Sequence, residues 1–170
     1  MNRLRVALDQ NFPVTIVGAL QKSIIETELT HVTAIDPRFA LVDDDELIRL
    51  LWLRGWDLLA TCDHHMLDEP RVLATILQTK MTVVAAVGQG HDYVAASGLL
   101  LAHLPHIAHE FRKDVPQVWQ LRVGRKPPDD PWNLLDRVAK RQTSATSQSL
   151  YASHKRSNAA LRHDPFAGSK

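Results

Sequence analysis

Short apolar runs alternate with segments of helical period from residue 4 to residue 142, and this alternation restricts the chain more than any single motif. RVAL (5–8), ELTHVTAI (28–35), WDLLATC (56–62), MTVVAAVG (81–88) and QVWQLRVG (117–124) read as strands. Between them lie PVTIVGALQKSI, DDDELIRLLWLRG, DEPRVLATILQTK and DYVAASGLLLAHLPHIAHEFRK, and PWNLLDRVAKRQ follows the last. Such a rhythm predicts an α/β fold with a mostly parallel sheet of about five strands. MTVVAAVG is apolar at nearly every position, as a strand covered on both faces must be, and is expected to be central.

Local signals mark several helix ends. Pro13 and Pro70 suit first turns, where a missing N–H costs nothing. Asp43 is expected to cap DDDELIRLLWLRG, with Glu46 completing a capping box and Gly55 stopping the helix. Pro105 should bend or break the long helix that contains it. With 45% hydrophobic residues, the chain can bury a core without a disulfide, and its single Cys62 could not form one internally. Residues 1–142 are expected to form one domain. Residues 143–170 are polar and small, and carry Lys155, Arg156, Arg162 and Lys170 against Asp164. They read as a basic tail, disordered or ordered by a partner. The N-terminus lacks the long apolar stretch of a signal peptide, and the run Val94–Ala102 is short of the roughly 20 residues of a spanning helix. A soluble cytoplasmic protein is expected.

Ligands of open parallel sheets sit beyond the carboxyl ends of the strands. Asp9 ends the first strand and Asp63 the third, while Asp43, Asp44, Asp45 and Glu46 open a helix at the same edge. No glycine-rich phosphate loop of the G-x-G-x-x-G or G-x-x-x-x-G-K type is present. Converging carboxylates repel unless a cation or a proton neutralises them. Mg²⁺ or Mn²⁺ takes such oxygen ligands, and can activate water against a phosphodiester. His65, close to Asp63, would favour Mn²⁺.

Three stretches then resemble the PIN-like proteins, in the order expected of that family. VALDQNFP (6–13) resembles its LDENLP opening, VDDDELIRLL (42–51) its SDEEIL helix start, and LLATCDHHML (58–67) its LVTRDRDF strand end. The motifs cover residues 4 to about 70, and architecture alone extends the likeness to about 124. The resemblance implies a three-layer α/β/α PIN-like fold and a Mg²⁺- or Mn²⁺-dependent endoribonuclease, often the toxin of a toxin–antitoxin pair. Carried over by position, Asp9, Asp44 and Asp63 are the metal acids, with Asp43 or Asp45 in place of Asp44 if the motif slips by one. Asn11 and Thr61 are accessory. The chain departs from the family where its second aspartate in D-x-D-F is replaced by His65, followed by Met66. His65 would then act as a ligand or proton carrier, or the site would be weakened, with Asp68 and Asp92 as substitute acids. The substrate implied is single-stranded RNA, and an antitoxin or a second copy of the chain would be the protein partner.

Competing readings accompany these residues. A catalytically weak scaffold that binds RNA or protein without cleavage is the alternative function. An aspartate-based phosphotransferase ranks last, because Asn11 stands where its second aspartate belongs. His103, His106 and His109 recur every third residue but flank Pro105, which favours an ordinary helix face over a zinc site. Cys62 reads as a small strand hydrophobe. Arg112, Lys113, Arg122, Arg125 and Lys126 could line a path for RNA phosphates.

Overall fold

The apolar runs pair as a single parallel sheet. In the computed structural model, which describes residues 3–89, 92–124, 126–142 and 145–168, the strands are β1 (Leu4–Leu8), β2 (Thr27–His31), β3 (Leu58–Thr61), β4 (Thr82–Ala86) and β5 (Gln117–Leu121). Their order is β2-β1-β3-β4-β5 and every neighbouring pair is parallel. The helices are α1 (Val14–Ser23), α2 (Val32–Ile35), α3 (Asp44–Leu53), α4 (Pro70–Thr79), α5 (Tyr93–Glu110), α6 (Pro131–Gln142), α7 (Ser147–His154) and α8 (Asn158–Arg162).

Alternate strand residues serve opposite faces, as a period of two requires. Val6, Leu8, Leu58, Ala60, Val84 and Trp119 pack with Leu20 of α1 and with Leu100, Leu104 and Ile107 of α5. Ala7, Leu59, Val83 and Val118 pack instead with Ile48 and Leu51 of α3, Leu73 and Ile76 of α4, and Leu135 and Val138 of α6. The result is a three-layer α/β/α sandwich. β4 is an interior strand, buried at all five positions.

Two local expectations change. ELTHVTAI does not run as a strand to residue 35, because α2 begins at Val32. The His31 imidazole accepts from the Thr33 amide at 3.3 Å, capping a helical turn that its β-branched sequence concealed. α5 remains α-helical through Pro105 and is not broken there.

The larger correction concerns the segment read as a tail. Thr146 and Ser149 form a reciprocal capping box that starts α7. Leu150, Tyr151 and Phe166 pack on the core beside α3, α4 and α6, and Leu161 is buried. Residues 145–168 thus fold onto the rest of the chain. Among the described residues no helix is long and apolar enough to cross a membrane.

The strand order also places a crevice. From β1 the chain moves outward to β2, then returns past β1 to β3. Connections therefore leave β1 and β3 in opposite directions, and the space beyond their carboxyl ends is left open, as at other switch points of this kind. Asp9 and Asp63 follow those two strands.

Candidate functional site

Thr61, the last residue of β3, joins the two strand-end acids. Its hydroxyl donates to Asp9 Oδ2 at 2.8 Å and accepts from the Asp63 amide at 2.9 Å. Asp9 is buried, and it receives two further bonds, from the Gln10 amide to Oδ1 at 2.6 Å and from Asn11 Nδ2 to Oδ2 at 2.9 Å. The loop is set by the Asp9 amide on the Ala60 carbonyl and by the Phe12 amide on the Asp9 carbonyl. Burial pushes the Asp9 carboxyl above the ordinary aspartate range, although the three bonds favour its charge, and the charge of Asp63 adds to the rise. Asp63 Oδ1 accepts from the His65 amide at 2.9 Å, so Asp63 also shapes the short 3₁₀ turn His65–Asp68.

Asp44 is the first residue of α3 and is half-buried. Its carboxylate has no hydrogen bond or ion pair among the described residues. Its pKa is raised to about 6, first by burial and then by the charges of Asp9, Asp63 and Glu69, with Arg71 opposing. Electrostatically, therefore, Asp9, Asp44, Asp63 and Glu69 form one neighbourhood, drawn from β1, α3, β3 and the start of α4.

The other acids of the sequence motifs point elsewhere. Asp43 makes no capping bond and instead holds Arg71 at 3.0 Å, while Glu46 bonds Arg49 and Arg156, so the capping box does not form. Asp45 is buried against Arg156. Asp68 pairs with Arg141 of α6, and Asp92 caps α5 through the Ala95 amide at 2.9 Å. None of Asp45, Asp68 and Asp92 joins the cluster. The His65 side chain is exposed and its ring lies against that of His64, 4.2 Å between centroids.

Sequence reasoning missed Glu69 and Arg71. Glu69 adds to the negative field on Asp44, and Arg71 bonds Glu69 at 2.8 Å as well as Asp43. The only signal was an acid directly before the helix-opening Pro70, which reads as an ordinary helix start. Among the described residues, no three His, Cys, Asp or Glu side chains form a ready-made metal site. The acids that act on Asp44 electrostatically are all hard oxygen donors, the ligand type that divalent cations such as Mg²⁺ and Mn²⁺ prefer.

No family model, no curated protein and no solved structure matches this chain. The site therefore has to be judged on its own geometry.

Other candidates separate in space. His103 is buried with Nε2 on the Arg122 carbonyl at 3.2 Å, His106 meets the edge of Trp119, and His109 is exposed, so the three do not converge. Cys62 is buried and its thiol is pushed up to about 12, mainly by burial, which leaves it protonated. Arg122 and Lys126 follow β5 at the carboxyl edge, whereas Arg112 and Lys113 precede β5 at the opposite edge. They form no continuous path, and Arg125 lies outside the described residues. A groove of about 990 Å³ also opens at that opposite edge, lined by Arg3, Asp57, Phe111 and Lys113 among others, well away from the acids.

Proposed function

We propose that this protein is a Mg²⁺- or Mn²⁺-dependent endoribonuclease of PIN-like type, acting at the carboxyl edge of β1 and β3. The observation that carries the reading is Asp44. A carboxyl raised to about 6, first by burial and then by its neighbours' charges, and with no donor of its own, is a group whose ionised form a cation would stabilise. Asp9, Asp44 and Asp63 would hold the ion. When bound, it would stabilise charge on a phosphodiester and make an attacking water more acidic.

The chain's own residues have distinct tasks in this reading. Thr61 keeps the Asp9 and Asp63 backbones and side chains in fixed relation. Asn11 and the Gln10 amide orient Asp9 while leaving its charge in place. Arg71 offsets part of the charge of Asp43 and Glu69, which limits the repulsion an RNA phosphate would meet there. His65, exposed beside Asp63, is available to carry a proton to or from solvent. An antitoxin or a second copy of the chain would be the partner implied by the PIN-like resemblance.

The second reading, a scaffold that binds RNA or protein without cutting, is favoured by one feature: both oxygens of Asp9 are already occupied by three donors. Cleavage of a mixed RNA pool by the purified protein, with Mg²⁺, Mn²⁺ or EDTA and beside Asp63→Asn, decides between them. Cleavage that needs the ion and disappears in the variant is expected. No cleavage with either ion, from protein shown to be folded, overturns the nuclease reading in favour of the scaffold.

A further inference from the structure

Four successive acids open α3, and three of them are claimed by arginines. Asp43 holds Arg71. Asp45 holds Arg156 at 2.5 Å, and Glu46 holds Arg156 at 2.7 Å together with Arg49. Only Asp44 is left without such a partner among the described residues. The selection is made from a distance, because Arg156 lies between α7 and α8, in the segment whose composition suggested a loose tail.

That segment is fastened at several points. The Arg156 amide donates to Gln78 Oε1 and its carbonyl accepts from Gln78 Nε2, both at 2.8 Å, a two-point bond to α4. Arg49, 2% exposed, donates to the carbonyls of Leu161 and His163. Arg54 reaches Asp164 at 3.4 Å, and the Arg38 guanidinium lies 4.3 Å from the Phe166 ring centroid.

The geometry points to Arg156 as a positioning residue, through which the docked C-terminal segment sets the first turn of α3. Its guanidinium spans Asp45 and Glu46 in one fork, and its backbone is held by Gln78. Two neighbouring acids are thereby turned toward α7 and α8, and Asp44 alone of the four has no arginine bonded to it among the described residues. Without the fork, Glu46 would keep only Arg49 and Asp45 only the more distant Arg71, at 3.8 Å, so Asp44 and Asp45 would repel with less to hold the turn in one arrangement. The coupling stands on these contacts, and its consequence for cleavage rests on the proposed function above. Undocking of the segment would then act on the acids without touching them, which makes residues 145–168 a control element of the same site.

Amide hydrogen exchange of the full chain tests the coupling without any metal. In Arg156→Gln the amides of Leu47 and Ile48, in the turn that Arg156 holds, should exchange about tenfold faster, while those of β3 and β4 keep wild-type rates. Arg156→Lys, which keeps the charge but not the fork, should recover only a minor part of the protection, and full recovery would overturn the role of the fork. Unchanged exchange at Leu47 and Ile48 overturns the inference. So does a uniform rise that includes β3 and β4, because Arg156 would then support only global stability. RNA cleavage is the second arm. An active wild type should lose several-fold in rate on Arg156→Gln and regain little of it with Arg156→Lys, and a rate equal to wild type in Arg156→Gln overturns the positioning role. An inactive wild type refutes the nuclease reading instead, and the exchange rates then decide the coupling alone.

Discussion

Asp44→Asn should make the metal-free protein more stable at neutral pH, the reverse of the usual effect of altering a site residue. Burial and its acidic neighbours push the Asp44 carboxyl up to about 6 in the folded chain, from an ordinary aspartate value of 3.8. As pH rises from below 4, the unfolded chain releases this proton first and the folded chain keeps it to about pH 6. Over that window the unfolded state binds fewer protons, so stability falls as pH rises, and the loss is complete above the folded value. A shift of about two units corresponds to about 3 kcal/mol for a fully sequestered group. Asp44 is only half-buried, and solvent screening reduces this to about 1 kcal/mol. The dipole of α3 favours a negative charge here by about 0.3–1 kcal/mol and works against the gain.

Urea unfolding in EDTA from about pH 4 to pH 8 would measure it. The wild type and the variant should lie closest at the acid end, separate in favour of the variant between about pH 4 and pH 6, and keep a constant gap above that. A gain of 1 kcal/mol corresponds to roughly 2–4 °C in Tm for a chain of this size. A variant displaced by the same amount at every pH, or less stable at neutral pH alone, would refute the account of Asp44 as a charge the fold disfavours. Mn²⁺ should then stabilise the wild type and leave Asp44→Asn nearly unmoved, since only a folded site with its acids intact gains by mass action.

Other substitutions probe the supports. Thr61→Val removes the donor to Asp9 and the acceptor of the Asp63 amide, and should cost about 1–3 kcal/mol in urea unfolding while lowering cleavage. Arg49→Met strands two backbone carbonyls and leaves Glu46 to Arg156 alone, and should cost about 2–4 kcal/mol, with limited proteolysis newly cutting within residues 145–168. Cys62, buried and protonated, should resist iodoacetamide in the native protein at pH 8 and react on unfolding in urea, as followed by mass spectrometry.

The parts of this molecule that could be read from the sequence are those encoded locally. Strand runs such as MTVVAAVG announce burial by composition, and helix starts announce themselves through Pro13 and Pro70, so the α/β order could be read in advance. Asp9 and Asp63 were legible for the same reason: each ends an apolar run, and a parallel sheet sends all such ends to one edge. The limit shows at β2, where Val32, Thr33 and Ile35 read as strand. A capping bond between His31 and Thr33 diverts them into a helical turn, and apolar alternation carries no trace of that bond.

Charge assignment is non-local, and it decided most of what composition missed. Asp43, Asp44, Asp45 and Glu46 are near-equivalent as residues, and nothing in VDDDELIRLL says which one is free. Their fates depend on Arg49 three residues along, on Arg71 in the next helix, and on Arg156 at the far end of the chain. The same arginines explain why residues 145–168 fold despite a polar composition. Leu150, Tyr151, Leu161 and Phe166 contribute only four sizeable anchors, too sparse to signal a core by periodicity. Guanidinium contacts to Asp45, Glu46 and Asp164, and to the carbonyls of Leu161 and His163, supply the remainder. A segment fastened this way has partners that are chosen in three dimensions, so its order and the identity of the unpaired acid are one piece of information. Neither can be read until the chain has folded back onto α3.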